Sequence, residues 1–176
     1  MSKKFKFFLL GSLFLVFLFY SCDEEIATPE VEIVRVGPLG FLVDSSTSIV
    51  KIDSIVFQVL NGVEAILKGS YTEFYRIGGV GGSDEFLYST PRCGNMDLRL
   101  KARIGKKPIG EPDTLYYTYL FNYPLNVKEA VEALYSGDPK EWLSVEARVH
   151  FYGISYYDLK DTFTVTHSWE LRRVEE

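Results

Sequence analysis

Apolar and polar residues alternate with a period of two over much of the chain from Val31 onward, which is the pattern of half-buried β-strands. The clearest run covers residues 96–104, where an apolar side chain at every second position alternates with aspartate, arginine or lysine. Similar runs cover residues 145–152 and 162–171. Because successive side chains of a strand point to opposite faces, each run predicts one buried and one solvated face.

The segment Leu115–Phe121 has a different pattern, since it is almost wholly apolar or aromatic. Such a segment predicts a strand that is covered on both faces. Four further strands with less regular alternation are predicted at residues 31–36, 49–60, 71–77 and 85–89. Glycine, proline and asparagine separate the strands, which predicts turns at residues 60–62, 78–83, 91–95 and 105–112.

Residues 126–135 have helical rather than strand spacing, because Val127, Val131 and Leu134 recur every three or four positions. Asn126 is a suitable N-cap and Gly137 a suitable end, so the sequence predicts one short helix across an end of a β-fold. Residues 138–141 offer a second capped start, with proline at the first helical position.

About eight strands and one short helix favour an all-β fold, an antiparallel β-sandwich of immunoglobulin-like architecture over residues 31–176 as a single domain. An eight-stranded lipocalin-like barrel is the alternative. The Cys-Trp-Cys pattern of true immunoglobulin domains is absent from the sequence, so the likeness concerns architecture only. Trp169 shares the phase of Phe163 and Val165, which predicts that it faces the core.

Composition narrows the class of protein. The chain has 176 residues, 47% of them hydrophobic and 24% charged, which excludes wholesale disorder and allows a core without disulfides. Its net charge of -5 argues against nucleic-acid binding, which needs a basic face.

The first 22 residues have the layout of an exported protein. Three lysines within residues 3–6 precede the apolar run Phe7–Tyr20, and Ser21-Cys22 follows. A run of this length is short for a membrane span, although a retained transmembrane anchor is the alternative. The segment resembles the leader and lipobox of bacterial lipoproteins. That resemblance implies that residues 1–21 are a signal peptide, that the chain is cut before Cys22, and that Cys22 is lipidated and anchors the protein in a membrane.

The acidic run Asp23, Glu24 and Glu25 resembles the export signal of surface lipoproteins of the Bacteroidetes group. The resemblance implies an outer-membrane, cell-surface location, with the periplasmic side second, since an Asp in this place implies inner-membrane retention in enterobacterial lipoproteins. Residues 22–30 are predicted to be an acidic tether. Removal of the leader takes away three of the 19 basic residues, so 16 remain against 24 acidic ones and the net charge is -8. Anionic lipid headgroups repel such a domain, so the acyl chains must hold the protein on the membrane.

No pattern in the sequence predicts catalysis. His150 and His167 have no metal-ligating residues at suitable spacing, and Cys93 lies in a turn without a neighbouring histidine, so we expect structural roles for all three. We therefore expect a protein that is not an enzyme and that needs no cofactor or metal.

Tyrosines are the best candidates for binding, since each has a flat apolar ring and a polar tip. Tyr116, Tyr156 and Tyr157 are predicted contacts to a glycan or a protein, with ordinary strand packing as the alternative. Ser54 and Thr114 each follow Asp and precede an aliphatic residue, which resembles the O-glycosylation motif of the Bacteroidetes group. Ser54 shares the strand phase of Ile52 and Val56 and is therefore expected to be buried.

These observations predict a membrane-anchored lipoprotein whose β-sandwich is a non-catalytic binding or assembly domain, with a protein or a glycan as its partner. A small barrel that binds a lipid or another apolar ligand is the alternative.

Overall fold

A computed structural model describes residues 27–78, 84–102, 116–136 and 142–174 of the chain. These ranges contain nine strands and one helix, and the strands share one hydrophobic core. In chain order, the elements are β1 (Val31–Gly37), β2 (Gly40–Val43), β3 (Ile49–Val59), β4 (Ala65–Gly78), β5 (Glu85–Ser89), β6 (Leu98–Leu100), β7 (Tyr117–Asn126), α1 (Lys128–Ser136), β8 (Trp142–Ser155) and β9 (Thr162–Arg173).

The strands form two sheets that pack as a β-sandwich. Strands β1, β3 and β7 make a three-stranded antiparallel sheet in that order. The six-stranded sheet has the order β2-β9-β8-β4-β5, and β6 pairs with β4 beside β5. Strand β2 runs parallel to β9, while the other pairs are antiparallel. This arrangement confirms the predicted all-β sandwich, in which the pairing of β2 with β9 makes the six-stranded sheet mixed rather than wholly antiparallel. The barrel alternative is wrong, because the described strands form two separate sheets.

The inner faces of the two sheets meet in the core. Phe57 of β3 packs edge-to-face on Phe151 of β8, with ring centroids 5.3 Å apart. Tyr123 of β7 also packs edge-on against Phe151, at 5.5 Å. The hydroxyl of Tyr123 lies 2.8 Å from the hydroxyl of Ser70 in β4. The polar tip of a largely buried tyrosine is therefore satisfied across the sandwich.

Trp169 confirms the prediction that β9 directs this phase inward. Its side chain is fully buried, and its indole Nε1 donates a hydrogen bond to the carbonyl of Pro38 at 2.9 Å. Pro38 lies between β1 and β2, where the chain passes from one sheet to the other. Trp169 therefore fills the core and also fixes this crossover.

The predicted helix is confirmed as α1. The side chain of Asn126 accepts a hydrogen bond from the backbone N–H of Lys128 at 3.2 Å, as an N-terminal cap does. Val127 and the helix residues Ala130, Val131 and Leu134 are buried. Arg76 donates to the carbonyl of Ala133 and Arg173 to that of Leu134, so two cations stabilise the last turn. Gly137 and residues 138–141 lie outside the described residues.

Three strand predictions need correction. Of the run at 96–104, the structure describes residues 96–102, and within these only Leu98–Leu100 form a strand, which pairs with Ala65–Leu67 at the start of β4. Strand β4 begins at Ala65 rather than at residue 71. Strand β2 was not predicted at all, since its four residues become a strand only through pairing with β9, about 130 positions later in the chain. Residues 79–83 and 103–115 lie outside the described ranges.

Candidate functional site

The outer face of the three-stranded sheet carries a strip of exposed aromatic side chains. Tyr117, Tyr119 and Phe121 of β7 are 43%, 42% and 61% exposed. Tyrosine and phenylalanine side chains bury about 150–250 Å² each when fully covered, so the three rings expose roughly 300 Å². That area lies at the lower end of the range for the largest apolar patch of a typical soluble protein, about 300–600 Å², and such patches are often functional. We call these three residues the β7 aromatic strip.

A change of strand phase directs these rings outward. Tyr123 and Leu125 of β7 face the core. Asn122 adopts a left-handed backbone with φ of 54°, and on its N-terminal side the residue that faces the core is Leu120 rather than Phe121. Strand β3 changes phase at the same level, because Ile52 and then Ile55 are its successive fully buried residues in the core. The register places Asp53, between them, opposite Asn122.

Val56 lies beneath the strip. It is only 2% exposed, yet it alternates with the core residues Ile55 and Phe57 and does not belong to the core cluster. Its register neighbours are Arg35 of β1 and Tyr119 of β7. Its burial on the outer face shows that neighbouring side chains cover this part of the sheet. The rings of Tyr119 and Phe121 are nearly parallel, with an 8° angle and centroids 5.6 Å apart.

The prediction that Leu115–Phe121 is covered on both faces is wrong. Within the described residues, β7 is the last strand of its sheet, and its outer face is open to solvent. Apolar content alone cannot distinguish a strand buried on both faces from one with an exposed aromatic face.

The three tyrosines predicted to bind lie at one end of the sandwich. Tyr116 precedes β7 and is 45% exposed, and Tyr156 and Tyr157 occupy the loop between β8 and β9. The pairing of Gln58 with Tyr117 and of Ala65 with Ser155 brings the start of β7 and the end of β8 to the same end. The structure therefore places at one end of the sandwich residues that are 40 positions apart in the sequence.

Tyr156 and Tyr157 belong to a small cluster at this end. Their rings meet edge-to-face at 5.5 Å, and the Arg99 guanidinium lies 4.1 Å from the Tyr156 ring centroid. Arg99 pairs with the buried carboxylate of Glu64, which raises the pKa of the arginine. The buried carboxylate is thus paired, and Tyr156 is held by a cation–π contact.

Of the residues predicted to be modified or to direct export, only Ser54 lies within the described ranges. Ser54 is half-buried on the outer face of the three-stranded sheet, where its register partners are Gly37 and Phe121. The expectation that it shares the phase of Ile52 is wrong because β3 changes phase at Asp53, and its glycosylation remains a prediction. The other candidates, Thr114, Cys22 and the acidic residues Asp23, Glu24 and Glu25, lie outside the described residues.

The outer face of the six-stranded sheet carries a polar network that the sequence did not predict. The imidazole Nε2 of His150 lies 3.2 Å from Glu73, and its Nδ1 lies 2.8 Å from the hydroxyl of Thr166. The ring of Tyr71 stacks on that of His150 at 4.5 Å, and the Tyr75 hydroxyl donates to Glu73 at 3.0 Å. His150 and Glu73 are 77 positions apart, so only strand pairing brings them together.

The connectivity of Thr166, His150 and Glu73 is that of a nucleophile, a base and an orienting carboxylate. The three groups lie in adjacent strands, where His150 and Thr166 are direct register partners, and such side-chain pairs also stabilise ordinary sheets. Arg148 extends the network, with its guanidinium 4.0 Å from the Tyr75 ring centroid and 2.7 Å from Glu146. We assign the network to sheet stabilisation.

The remaining candidates for chemistry are isolated. His167 is half-buried with its ring edge-on to Trp169 at 4.6 Å, and burial lowers its pKa. Cys93 is exposed, and its backbone pairs with that of Ser70. In the described ranges, no three His, Cys, Asp or Glu residues lie close enough to hold a metal ion.

None of the helical segments in the described part of the chain combines the length and apolar composition that a membrane-spanning helix needs. Comparisons of this chain with family models, with curated protein sequences and with solved structures found no match.

Proposed function

We propose that this chain is a lipid-anchored protein whose β-sandwich is a non-catalytic binding or assembly domain, displayed at the outer membrane on the cell surface. The observation that carries the proposal is the β7 aromatic strip. A domain that exposes three neighbouring rings on one strand keeps an apolar surface in water, which is unfavourable unless a partner covers it.

The chemistry of the strip favours a protein partner. Residues 117–121 contain three aromatic side chains, a threonine and a leucine, with no charged residue. Aromatic residues are enriched in protein interfaces, where they often provide most of the binding energy. Within the described residues, β7 is also an edge strand, so its backbone supports the addition of an extended segment from a partner.

A glycan fits the same rings less well. Sugars stack on a free, broad ring face, but Tyr119 and Phe121 lie parallel and near each other, so each covers part of one face of its neighbour. Tyr116, Tyr156 and Tyr157 are the further candidates for contact, at the end of the sandwich where β7 begins.

The anchor is proposed from the resemblance of residues 1–22 to lipoprotein leaders. Asp23, Glu24 and Glu25 are proposed to direct the lipidated protein to the cell surface. The test is Cys22→Ala. The variant should incorporate no labelled palmitate and should leave the membrane fraction or remain uncut, whereas normal processing and membrane fractionation would contradict the anchor.

The binding surface is tested by placing the photo-crosslinker p-benzoylphenylalanine at position 119 of the full-length chain in cells. Thr164 is the matched control position, because it is exposed on the outer face of the other sheet. We expect a discrete protein adduct from position 119 alone. Equal yields at the two positions, or an adduct that survives Phe121→Ser unchanged, would contradict a specific surface. Adducts with polysaccharide in place of protein would make the partner a glycan.

A further inference from the structure

The described chain begins at the end of the sandwich that carries Tyr156 and Tyr157. The side chain of Asn61, between β3 and β4, donates to the carbonyl of Thr28 at 2.6 Å and accepts from the N–H of Glu30 at 3.1 Å. The N–H of Leu60 donates to the carbonyl of Glu30 at 2.8 Å. Pro29, between these contacts, is buried. The segment that leads to residues 1–26 is therefore fixed to this end.

The loop between β8 and β9 lies beside this attachment. The N–H of Tyr156 donates to the carbonyl of Glu64 at 2.9 Å, and Glu64 is only three residues beyond Asn61. The loop is also held internally, since the hydroxyl of Ser155 accepts from the N–H groups of Tyr157 and Asp158. Its side chains are thus presented by a defined turn rather than by a loose segment.

The exposed side chains at this end are amphipathic. Leu159 is 71% exposed, Tyr157 is 52% exposed and Tyr156 is 43% exposed, and Lys160 is exposed beside them. Leu60, in the neighbouring loop, is 47% exposed. Tyrosine is favoured at membrane–water interfaces, where its ring meets apolar chains and its hydroxyl meets water, and lysine meets lipid phosphates.

The length of the tether places this end near the bilayer. If Cys22 carries the acyl chains, only four residues lie between the anchor and Ala27, and the five residue-to-residue steps span at most about 18 Å when extended. Strand β8 alone has 14 residues and extends roughly 45 Å away from this end. The attachment end must therefore stay within the reach of lipid headgroups, while the tether alone leaves the tilt of the domain, and the distance of α1 from the surface, undetermined.

We propose that the loop between β8 and β9 contacts the lipid bilayer through Tyr156, Tyr157 and Leu159 and sets the orientation of the domain on the membrane. The inference rests on the proposed lipid anchor. It assigns Tyr156 and Tyr157 to the bilayer in place of the glycan or protein contact for which they were candidates. The β7 aromatic strip keeps its separate role, because it begins near this end at Tyr117 and runs along the sandwich away from it.

The test uses the full-length lipidated protein, purified from bacterial membranes, with Cys93→Ser removing the exposed thiol. Leu159→Cys, or Tyr157→Cys as a second site, carries an NBD fluorophore. Glu132→Cys on α1 is the matched control, because Glu132 is exposed at the opposite end of the sandwich. The protein is mixed with phosphatidylethanolamine and phosphatidylglycerol vesicles that contain a doxyl-labelled phosphatidylcholine. Flotation first establishes whether the protein is anchored.

We expect several-fold quenching of the label at position 159 or 157, and none at position 132, in protein that floats with the vesicles. Floated protein without quenching at either loop position would overturn the membrane contact and leave the anchor intact. Protein that does not float would overturn the anchor, and the contact with it. An unquenched loop label that is shielded from aqueous iodide by added polysaccharide would assign the loop to a glycan and also overturn the membrane contact.

Discussion

On the outer face of the six-stranded sheet, charged and aromatic side chains join across strands, as His150 does with Glu73 and Thr166. On the outer face of the three-stranded sheet, β7 presents three rings of which between 42% and 61% is exposed. Both sheets bury an apolar inner face in the same core. The difference is that the outer side chains of the six-stranded sheet are joined by hydrogen bonds and ring contacts, although Phe86 is 53% exposed beside Tyr75, whereas β7 leaves a row of three rings open to solvent.

The inner face of the six-stranded sheet should be the most sensitive place in the molecule. Trp169→Ala removes a fully buried ring and the hydrogen bond to Pro38, so we expect a loss of about 3–5 kcal/mol in the free energy of unfolding. Urea denaturation of the purified domain measures this loss. A midpoint close to that of the unsubstituted protein would mean that Trp169 is not a core residue and that the strand register around it is wrong.

The polar network should contribute less, because His150 is partly solvated. His150→Ala removes its stacking on Tyr71 and two hydrogen bonds, so we expect a loss of about 1–2 kcal/mol. Thr166→Val is the milder control variant. Neither substitution should alter the rate of p-nitrophenyl acetate hydrolysis. Turnover by the unsubstituted protein that both variants abolish would show that the network is catalytic and that the non-catalytic proposal is wrong.

The ion pairs on the outer face of the six-stranded sheet should make the free energy of unfolding decrease in acid. The hydrogen bond from Arg148 lowers the pKa of Glu146 from its ordinary value of 4.5. A carboxyl whose pKa is lowered by folding adds stability above its ordinary pKa, and this stability is lost as the pH falls through the folded pKa. The group is near the surface, so its contribution at pH 7 is about 0.5 kcal/mol.

Glu146→Gln tests this sign, because the difference in unfolding free energy between the variant and the original should shrink below about pH 4.5. Adding Arg148→Gln should cost less than the sum of the two single changes, since both remove the ion pair with Glu146, while Arg148→Gln alone also removes the contacts with Tyr75 and Asp84. A difference that stays constant from pH 7 to pH 3 would contradict the proposed origin of the effect.

The smallest effect on stability should come from the outer face of the three-stranded sheet. Phe121 is 61% exposed, so Phe121→Ser should change the free energy of unfolding by no more than about 0.5 kcal/mol. The same change should abolish the specific photo-crosslink from position 119. A large loss of stability would indicate that the ring supports the fold instead.

Much of the fold could be predicted because local pattern determines it. Alternation identified β8 and β9, and the spacing of Val127, Val131 and Leu134 identified α1. Strand β2 and the limits of β6 depend on which edge of β4 or β9 is free, and this is a property of the assembled sheet. No local pattern records such pairing.

The candidate surface was only partly predictable for a similar reason. Tyrosine content drew attention to residues 116–119 and 152–157, but the side that each ring faces depends on the phase change at Asn122. A left-handed residue inside a strand has no reliable sequence marker, although asparagine is among the residues that tolerate it. The network around His150 was missed because Glu73 and Thr166 reach it from separate strands.

Hydroxyl-radical footprinting read by mass spectrometry compares the two outer faces in a single experiment, with the purified protein and with the protein on intact cells. Our account predicts that Tyr117, Tyr119 and Phe121 are oxidised readily in the purified protein and protected on cells. Tyr71 and Tyr75 of the polar network should be oxidised equally in both samples. Equal oxidation of the β7 aromatic strip in the two samples would contradict the proposal that this strip is the binding surface.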